Sequence, residues 1–504
     1  MMELQQSLAM VFDWQVLLVI LGASIFGLFI GAIPGLTATM ATALLVPLTF
    51  FMDPLPAIGA IVSATAMAIV AGDIPGALLR IPGTPASAAY TDEAYLMGRQ
   101  GKVGQALGVN LACSVVGGVI GVAILAFFAP LVAEFAIQFT SDEYFWLALL
   151  GLSCAVLVSG TDPVKGAISM LLGLLISMVG MSSVSGQMRF IFGVPELLNG
   201  IAILPVLIGL FAIAELLRRL PEIGTISLSK MPLVKKPFEG VGGLLWKYKG
   251  GVARSSLLGT LIGALPGAGA DIASWISYAL ARKLSRTPEK FGTGHPEGLV
   301  SASSANNAAL SGAYIPALVF GIPGDTITAI IIGVLMMKGI TPGPDVFTTD
   351  AVLVNAIFIV FILANILLIP LGLLAIRSAR HILSVPHGVL YPLILLFCIV
   401  GAYAANNSML DIWIMLILGL FAYVMVEHNF PIGPMILAVI LGPVVEGNFL
   451  RSMIKANGDL LMLFDRPIAA TLGTLAVLVW VAIIASALMS AARSRPNVAN
   501  KENT

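Results

Sequence analysis

Residues 14–52 contain no Asp, Glu, Lys or Arg, and the same holds for residues 103–133, 351–376 and 467–492. Charge-free apolar runs of roughly 20 residues or more are long enough to cross a bilayer as helices. Lipid offers no water to backbone N–H and C=O groups, so only helices or a closed barrel can span it. Barrel strands alternate apolar and polar residues, and these runs do not. The whole chain of 504 residues agrees, with 58% hydrophobic residues, 10% charged residues and a mean hydropathy of +1.00. Soluble domains carry about 25% charged residues. The expectation is an all-α polytopic membrane protein with about twelve transmembrane helices, several interrupted by Pro and Gly.

Composition also removes classes of function. The net charge is +0, whereas nucleic-acid binding needs a basic face. No Gly-x-x-x-x-Gly-Lys-Ser/Thr loop is present to cradle nucleotide phosphates. Cys113, Cys154 and Cys398 lie in apolar stretches without paired spacing, which suits small hydrophobes in packed helices better than a disulfide or zinc site. His295, His381, His387 and His428 lack metal-ligand spacing and read as loop residues, so no bound cofactor or structural metal is expected. Ser183-x-Ser185-Gly186 faintly echoes a serine nucleophile, but no histidine lies in a span to activate it, and an enzyme is not expected. Before Trp14 the charges are Glu3 and Asp13, without the basic start of a signal peptide, so no cleaved leader is expected.

Lys and Arg favour the cytoplasmic side, and the densest cluster is Arg218, Arg219, Lys230, Lys235, Lys236, Lys247 and Lys249. Placing this loop inside makes residues 218–250 a basic linker between two membrane halves, 1–217 and 251–492, with a tail at 493–504. Four stretches (about 104–133, 144–160, 164–181 and 197–217) lead back to Arg99 and Lys102 on the same side. Three more (about 14–35, 36–52 and 55–72) put the N-terminus outside, and Arg493, Arg495 and Lys501 put the C-terminus inside.

The halves repeat one another. Residues 25–41 read IFGLFIGAIPGLTATMA and residues 257–273 read LLGTLIGALPGAGADIA. Gly27, Gly31, Pro34 and Gly35 recur as Gly259, Gly263, Pro266 and Gly267. A second element follows in the same order, Arg80-Ile-Pro-Gly-Thr-Pro-Ala-Ser87 and Gly321-Ile-Pro-Gly-Asp-Thr-Ile-Thr328. The loop count has the two Gly-Ala-x-Pro-Gly segments met from opposite sides, the pattern of an inverted-topology repeat around a substrate site near the bilayer midplane. Proline removes a backbone donor and glycine permits irregular angles, so each motif breaks a helix. Freed N–H groups attract anions and freed carbonyls bind Na⁺; the alternative reading is a packing kink.

Polar residues in apolar surroundings complete the candidate site. Ser304, Asn306 and Asn307 offer neutral donors and acceptors, unless they serve as helix caps. Asp73 and Asp325 adjoin Gly, and Asp271 follows Gly269 by two residues, at the edges of apolar runs, where carboxylates are functional candidates by default. Arg80 either meets an anion or follows the positive-inside rule. The expected substrate-binding residues are Gly35, Thr37, Thr39, Thr84, Ser87, Gly267, Ser304, Asn306, Asn307 and Thr326. The expected cation-coupling residues are Pro34, Gly83, Pro266, Asp271, Gly324 and Asp325, with Na⁺, or H⁺, as coupling ion.

Together, Gly31-Ala-Ile-Pro-Gly-Leu36, Leu45-Val-Pro-Leu-Thr-Phe50, Ile81-Pro-Gly-Thr-Pro-Ala-Ser-Ala-Ala89, Gly263-Ala-Leu-Pro-Gly-Ala-Gly269, Ser304-Ala-Asn-Asn-Ala308 and Gly321-Ile-Pro-Gly-Asp325 resemble the large membrane subunit of the tripartite tricarboxylate transporters over nearly the whole chain. The resemblance implies a bacterial inner-membrane, ATP-independent importer. A periplasmic solute-binding protein would deliver a small organic carboxylate to this subunit, which pairs with a small membrane subunit. It also implies two re-entrant hairpins on a moving transport domain. Two departures stand near the site. Ala302 and Ser303 replace a Pro-Glu pair, losing an acidic residue, and Asp271 replaces a usual Thr or Pro. A stand-alone carboxylate antiporter or channel is the rival, but a channel needs a continuous polar pore rather than two matched breaks.

Overall fold

In the computed structural model, residues 2–34, 36–158, 162–222, 234, 236–267, 269–383 and 387–493 are described. These residues are overwhelmingly helical; the strands among them are the two-residue pair Gly180–Met181 and Met188–Arg189. Seven helical segments are long and apolar enough to cross a membrane: Trp14–Ala32, Pro54–Leu79, Ala88–Ala136, Ala351–Ile382, Met409–Glu427, Ile432–Lys455 and Pro467–Ala485. Four shorter apolar helices accompany them, Ala38–Thr49, Pro163–Ser177, Thr326–Met337 and Leu390–Ala404. The loop count treats residues 36–52 as a crossing. Their helix, Ala38–Thr49, has 12 residues, about 18 Å at ~1.5 Å per residue against a hydrocarbon core of about 30 Å.

The chain divides into two compact units, residues 1–138 with 202–424, and residues 139–201 with 425–504. Each unit draws on both sequence halves. In the first unit the repeat is visible as packing. The helix Trp14–Ala32 lies against Pro54–Ala71, and Lys249–Gly263 lies against Pro296–Phe320. A Cβ on Gly27 or Gly31 would lie 2.2 or 2.3 Å from the carbonyl oxygen of Ala64 or Ala68. On Gly259 or Gly263 it would lie 2.4 or 2.2 Å from that of Ala305 or Ala309. Both pairs of glycines are thus backbone-contact points one helical turn apart, as small residues are in membrane helix interfaces.

The halves are also interlocked. The long first-half helix Val103–Ala136 packs on the second-half helix Pro296–Phe320, and the second-half helix Ala351–Ile382 packs on Pro54–Ala71. Gly117 admits the backbone of Ser304, where a Cβ would come 2.2 Å from its carbonyl oxygen. The leading helices repeat the exchange, Met2–Val11 resting on Ala351–Ile382 and Val241–Lys247 on Val103–Ala136.

The second unit gathers Ser141–Val158, Pro163–Ser177, Ile432–Lys455 and Pro467–Arg493. Phe145, Trp146, Leu463, Ala469 and Ala476 form a buried cluster, with the Trp146 indole N–H donating to the Leu463 carbonyl at 2.9 Å. Fully buried Glu143 is paired with Arg466 at 3.0 Å. Arg189 on the hairpin pairs with Glu446 at 2.8 Å.

Candidate functional site

The two Ile-Pro-Gly breaks are built alike. Each follows a helix ended by a left-handed residue, Arg80 at φ 62° and Gly321 at φ 66°. Ile81 N–H then bonds the Pro75 carbonyl, and Ile322 N–H that of Pro316. The chain turns back on its own helix at glycine. A Cβ on Gly83 would come 2.3 Å from Gly72 Cα, and one on Gly324 2.9 Å from Ala313 Cα and 2.8 Å from the Gly263 carbonyl oxygen. Reciprocal side-chain to backbone bonds then precede or open the next helix. Ser87 N–H donates to Thr84 Oγ1 at 3.0 Å while Thr84 N–H donates to Ser87 Oγ at 3.1 Å. Thr328 N–H donates to Asp325 Oδ1 at 2.8 Å while Asp325 N–H donates to Thr328 Oγ1 at 2.9 Å, a reciprocal capping box.

The Gly-Ala-x-Pro-Gly breaks likewise lead into helix N-termini. Buried Pro34 precedes Thr37, whose hydroxyl caps Ala38–Thr49 by accepting from Met40 N–H at 3.2 Å; Gly35 lies outside the described residues. Pro266 and Gly267, the latter at φ 81°, lead into Gly269–Leu284. Contacts link all four N-termini across the halves. Thr39 Oγ1 is 3.3 Å from Thr326 Oγ1. Exposed Asp271 lies beside the backbone of Ala86, between Thr84 and Ser87. Gly269 lies against Asp325, its added Cβ falling 2.8 Å from that of Asp325. Helix N-termini carry partial positive charge and unpaired N–H groups, which favour an anion. Asp271 and Asp325 supply negative charge beside them, which favours a cation.

Ser304, Asn306 and Asn307 lie inside the helix Pro296–Phe320 and are buried. Asn307 Nδ2 donates to the Ser114 carbonyl and to Asn365 Oδ1, both at 2.9 Å. Asn306 Nδ2 donates to Tyr90 Oη at 3.0 Å. Ser304 Oγ donates to the Val300 carbonyl. Arg80 and Asp92 form an exposed ion pair at 2.7 Å. Asp73 is 3% exposed.

Sequence reasoning missed Glu93. It is 1% exposed, and its oxygens accept from Gly292 N–H at 2.5 Å, Gly294 and His295 N–H at 2.7 Å, and Tyr278 Oη at 2.8 Å. Gly292 and Gly294 have φ of 85° and 87°, the irregular glycine backbone of an anion-binding nest. That glycine pair is legible in the sequence; its occupant, about 200 residues away in the chain, is not.

A polytopic apolar chain with paired helix breaks and helix N-termini joined across a repeat falls in the class of membrane transport proteins built on discontinuous helices. The chain belongs to the tripartite tricarboxylate transporter TctA family, which it matches over residues 17–437. It is therefore a multi-pass transport subunit of a tripartite system rather than a member of an enzyme family. It is 33% identical over 476 residues, 94% of this chain and 93% of the relative, to an uncharacterized 52.8 kDa protein in the TAR-I ttuC′ 3′ region of Agrobacterium vitis. It is also 38% identical over 214 residues, 42% of this chain and 88% of the relative, to an uncharacterized protein in the TAR-II ttuC′ 3′ region of that organism. No solved structure matches the chain.

Proposed function

We propose that this chain is the permease subunit of a binding-protein-dependent secondary transporter that imports an organic carboxylate across the bacterial inner membrane by cation-coupled symport. The observation that carries this reading is the linkage of four helix N-termini through Thr39–Thr326, Asp271–Ala86 and Gly269–Asp325. The substrate carboxylate is held by N–H groups and hydroxyls at Thr37, Thr39, Thr84, Ser87, Gly267 and Thr326. Asp271, Asp325 and carbonyls freed at Pro34, Gly83, Pro266 and Gly324 hold Na⁺. Ser304, Asn306 and Asn307 position the helix that carries one break. The two halves cross the membrane in opposite senses, the breaks form two re-entrant hairpins, the N-terminus lies outside and the C-terminus inside. A small membrane subunit and a periplasmic solute-binding protein complete the machine.

Co-reconstitution of both membrane subunits in liposomes, with a binding protein encoded beside them added outside, tests this reading. Accumulation of that protein's carboxylate ligand above its outside concentration, dependent on the binding protein and on a cation gradient, is expected. Uptake that stops at equal concentrations, or proceeds equally without the binding protein, selects the stand-alone channel or antiporter instead.

A further inference from the structure

Gly72 interrupts an apolar helix, and Asp73 opens its continuation Asp73–Leu79 in the interior of the first unit. Asp73 Oδ1 accepts from Tyr90 Oη at 2.8 Å, and Tyr90 Oη accepts in turn from Asn306 Nδ2 at 3.0 Å. Oδ2 is buried without a hydrogen-bond partner. Asp73 lines a cavity of about 10 Å³, on the scale of a single water. The other polar group in its wall is Asn110, 1% exposed, with neither amide atom hydrogen-bonded. The remaining wall is apolar and includes Leu28, Ile74, Leu107 and Ile376.

We infer that Asp73 is a proton-binding site, occupied by a proton in this conformation. An ionised carboxylate here would keep one hydrogen bond and no cation in apolar surroundings, an arrangement that offsets only a small part of its desolvation cost. A metal ion needs several oxygen ligands, and two side chains in a space this small do not provide them. Binding H⁺ removes the negative charge and creates an O–H donor at Oδ2, while Oδ1 keeps its bond from Tyr90. Releasing H⁺ restores the carboxylate and requires these walls to part.

Among the described residues, Tyr90 is the titratable group that faces Asp73 on the elements packed around it. Glu93, a turn further along that helix, is taken by the Gly292–His295 backbone. On the helix Ala351–Ile382, Ala375 and Ile376 line the cavity while Arg377 is exposed. The helices Trp14–Ala32 and Val103–Ala136 present Leu28, Leu107 and Asn110. Asn306 belongs to the second-half helix Pro296–Phe320, so the proton on a first-half helix is linked by two hydrogen bonds to a second-half helix.

Infrared spectroscopy of the purified full chain tests this without substrate or partner, so its failure is distinct from failure of the transport reading. Wild type at neutral pH should show the C=O stretch of a protonated carboxylic acid, moved by deuterium exchange, and Asp73→Asn should lack it. Tyr90→Phe removes the bond to Oδ1 and should raise the frequency of that band without abolishing it. This variant carries the test if Asp73→Asn does not fold. Absence of the band in wild type, its persistence in Asp73→Asn, or an unchanged frequency in Tyr90→Phe overturns the assignment.

Discussion

Glu93 is held by three backbone N–H groups and a tyrosine hydroxyl, so its two oxygens act only as acceptors. Glu93→Gln puts an amide NH₂ where N–H donors converge. Each hydrogen bond to a charged group contributes about 1.5–3 kcal/mol, and the variant should lose stability of about that size, read as a lower thermal midpoint in detergent. The asparagines argue similarly. Asn307 Nδ2 donates to Asn365 Oδ1 at 2.9 Å inside the first unit, so Asn307→Leu strands that oxygen, at about 1–3 kcal/mol, while Asn365→Leu leaves Asn307 its bond to the Ser114 carbonyl. Asn307→Leu with Asn365→Leu should recover part of that loss in a double-mutant cycle; strictly additive losses would show the pair to be uncoupled. Reading the sequence identifies Asn307 as special, but only packing shows that its amide joins three helices. Neither Ser114 nor Asn365 carries a local signal of that role.

At the scale of elements, the breaks were legible because Pro and Gly act locally: one removes a donor, the other tolerates angles that side chains forbid. Matching Ile-Pro-Gly motifs therefore gave matching left-handed caps at Arg80 and Gly321. The count of crossings was less legible, since hydropathy does not fix where an apolar run such as residues 36–52 stops being helical. The exchange of long helices between halves was not legible at all, because it depends on which surfaces fit across hundreds of residues. Glycine spacing makes that fit testable. Gly31→Ala and Gly263→Ala each push a methyl to within 2.3 and 2.2 Å of a facing carbonyl oxygen, and overpacking of this kind costs about 1–3 kcal/mol. Gly22→Ala and Gly243→Ala meet nothing within 4 Å and should leave the thermal midpoint unchanged or slightly raised. Equal midpoints for all four variants would refute the close helix contacts.

For the whole molecule, charge sets the coupling. A di- or trivalent carboxylate moving into a negative cytoplasm climbs about 2.3 kcal/mol per charge per 100 mV. Accumulation against that field requires at least as many cations as anion charges, and one more makes the membrane potential a driving force. The proposed site joins hydroxyls of Thr37, Thr39, Thr84 and Thr326 to two carboxylates, Asp271 and Asp325, next to helix N-termini. Hydroxyl and carbonyl oxygens bind Na⁺ without releasing a proton. Uptake into liposomes with a negative interior should therefore depend on external Na⁺, carry net positive charge inward and slow when the potential is collapsed. Asp271→Asn with Asp325→Asn should weaken the Na⁺ dependence while Thr326→Val, which removes one neutral hydrogen bond of about 1 kcal/mol, should weaken apparent substrate affinity roughly fivefold. Uptake that continues without Na⁺ and stops when the pH gradient alone is collapsed would move coupling to protons, and the aspartates, Asp73 among them, would then carry it.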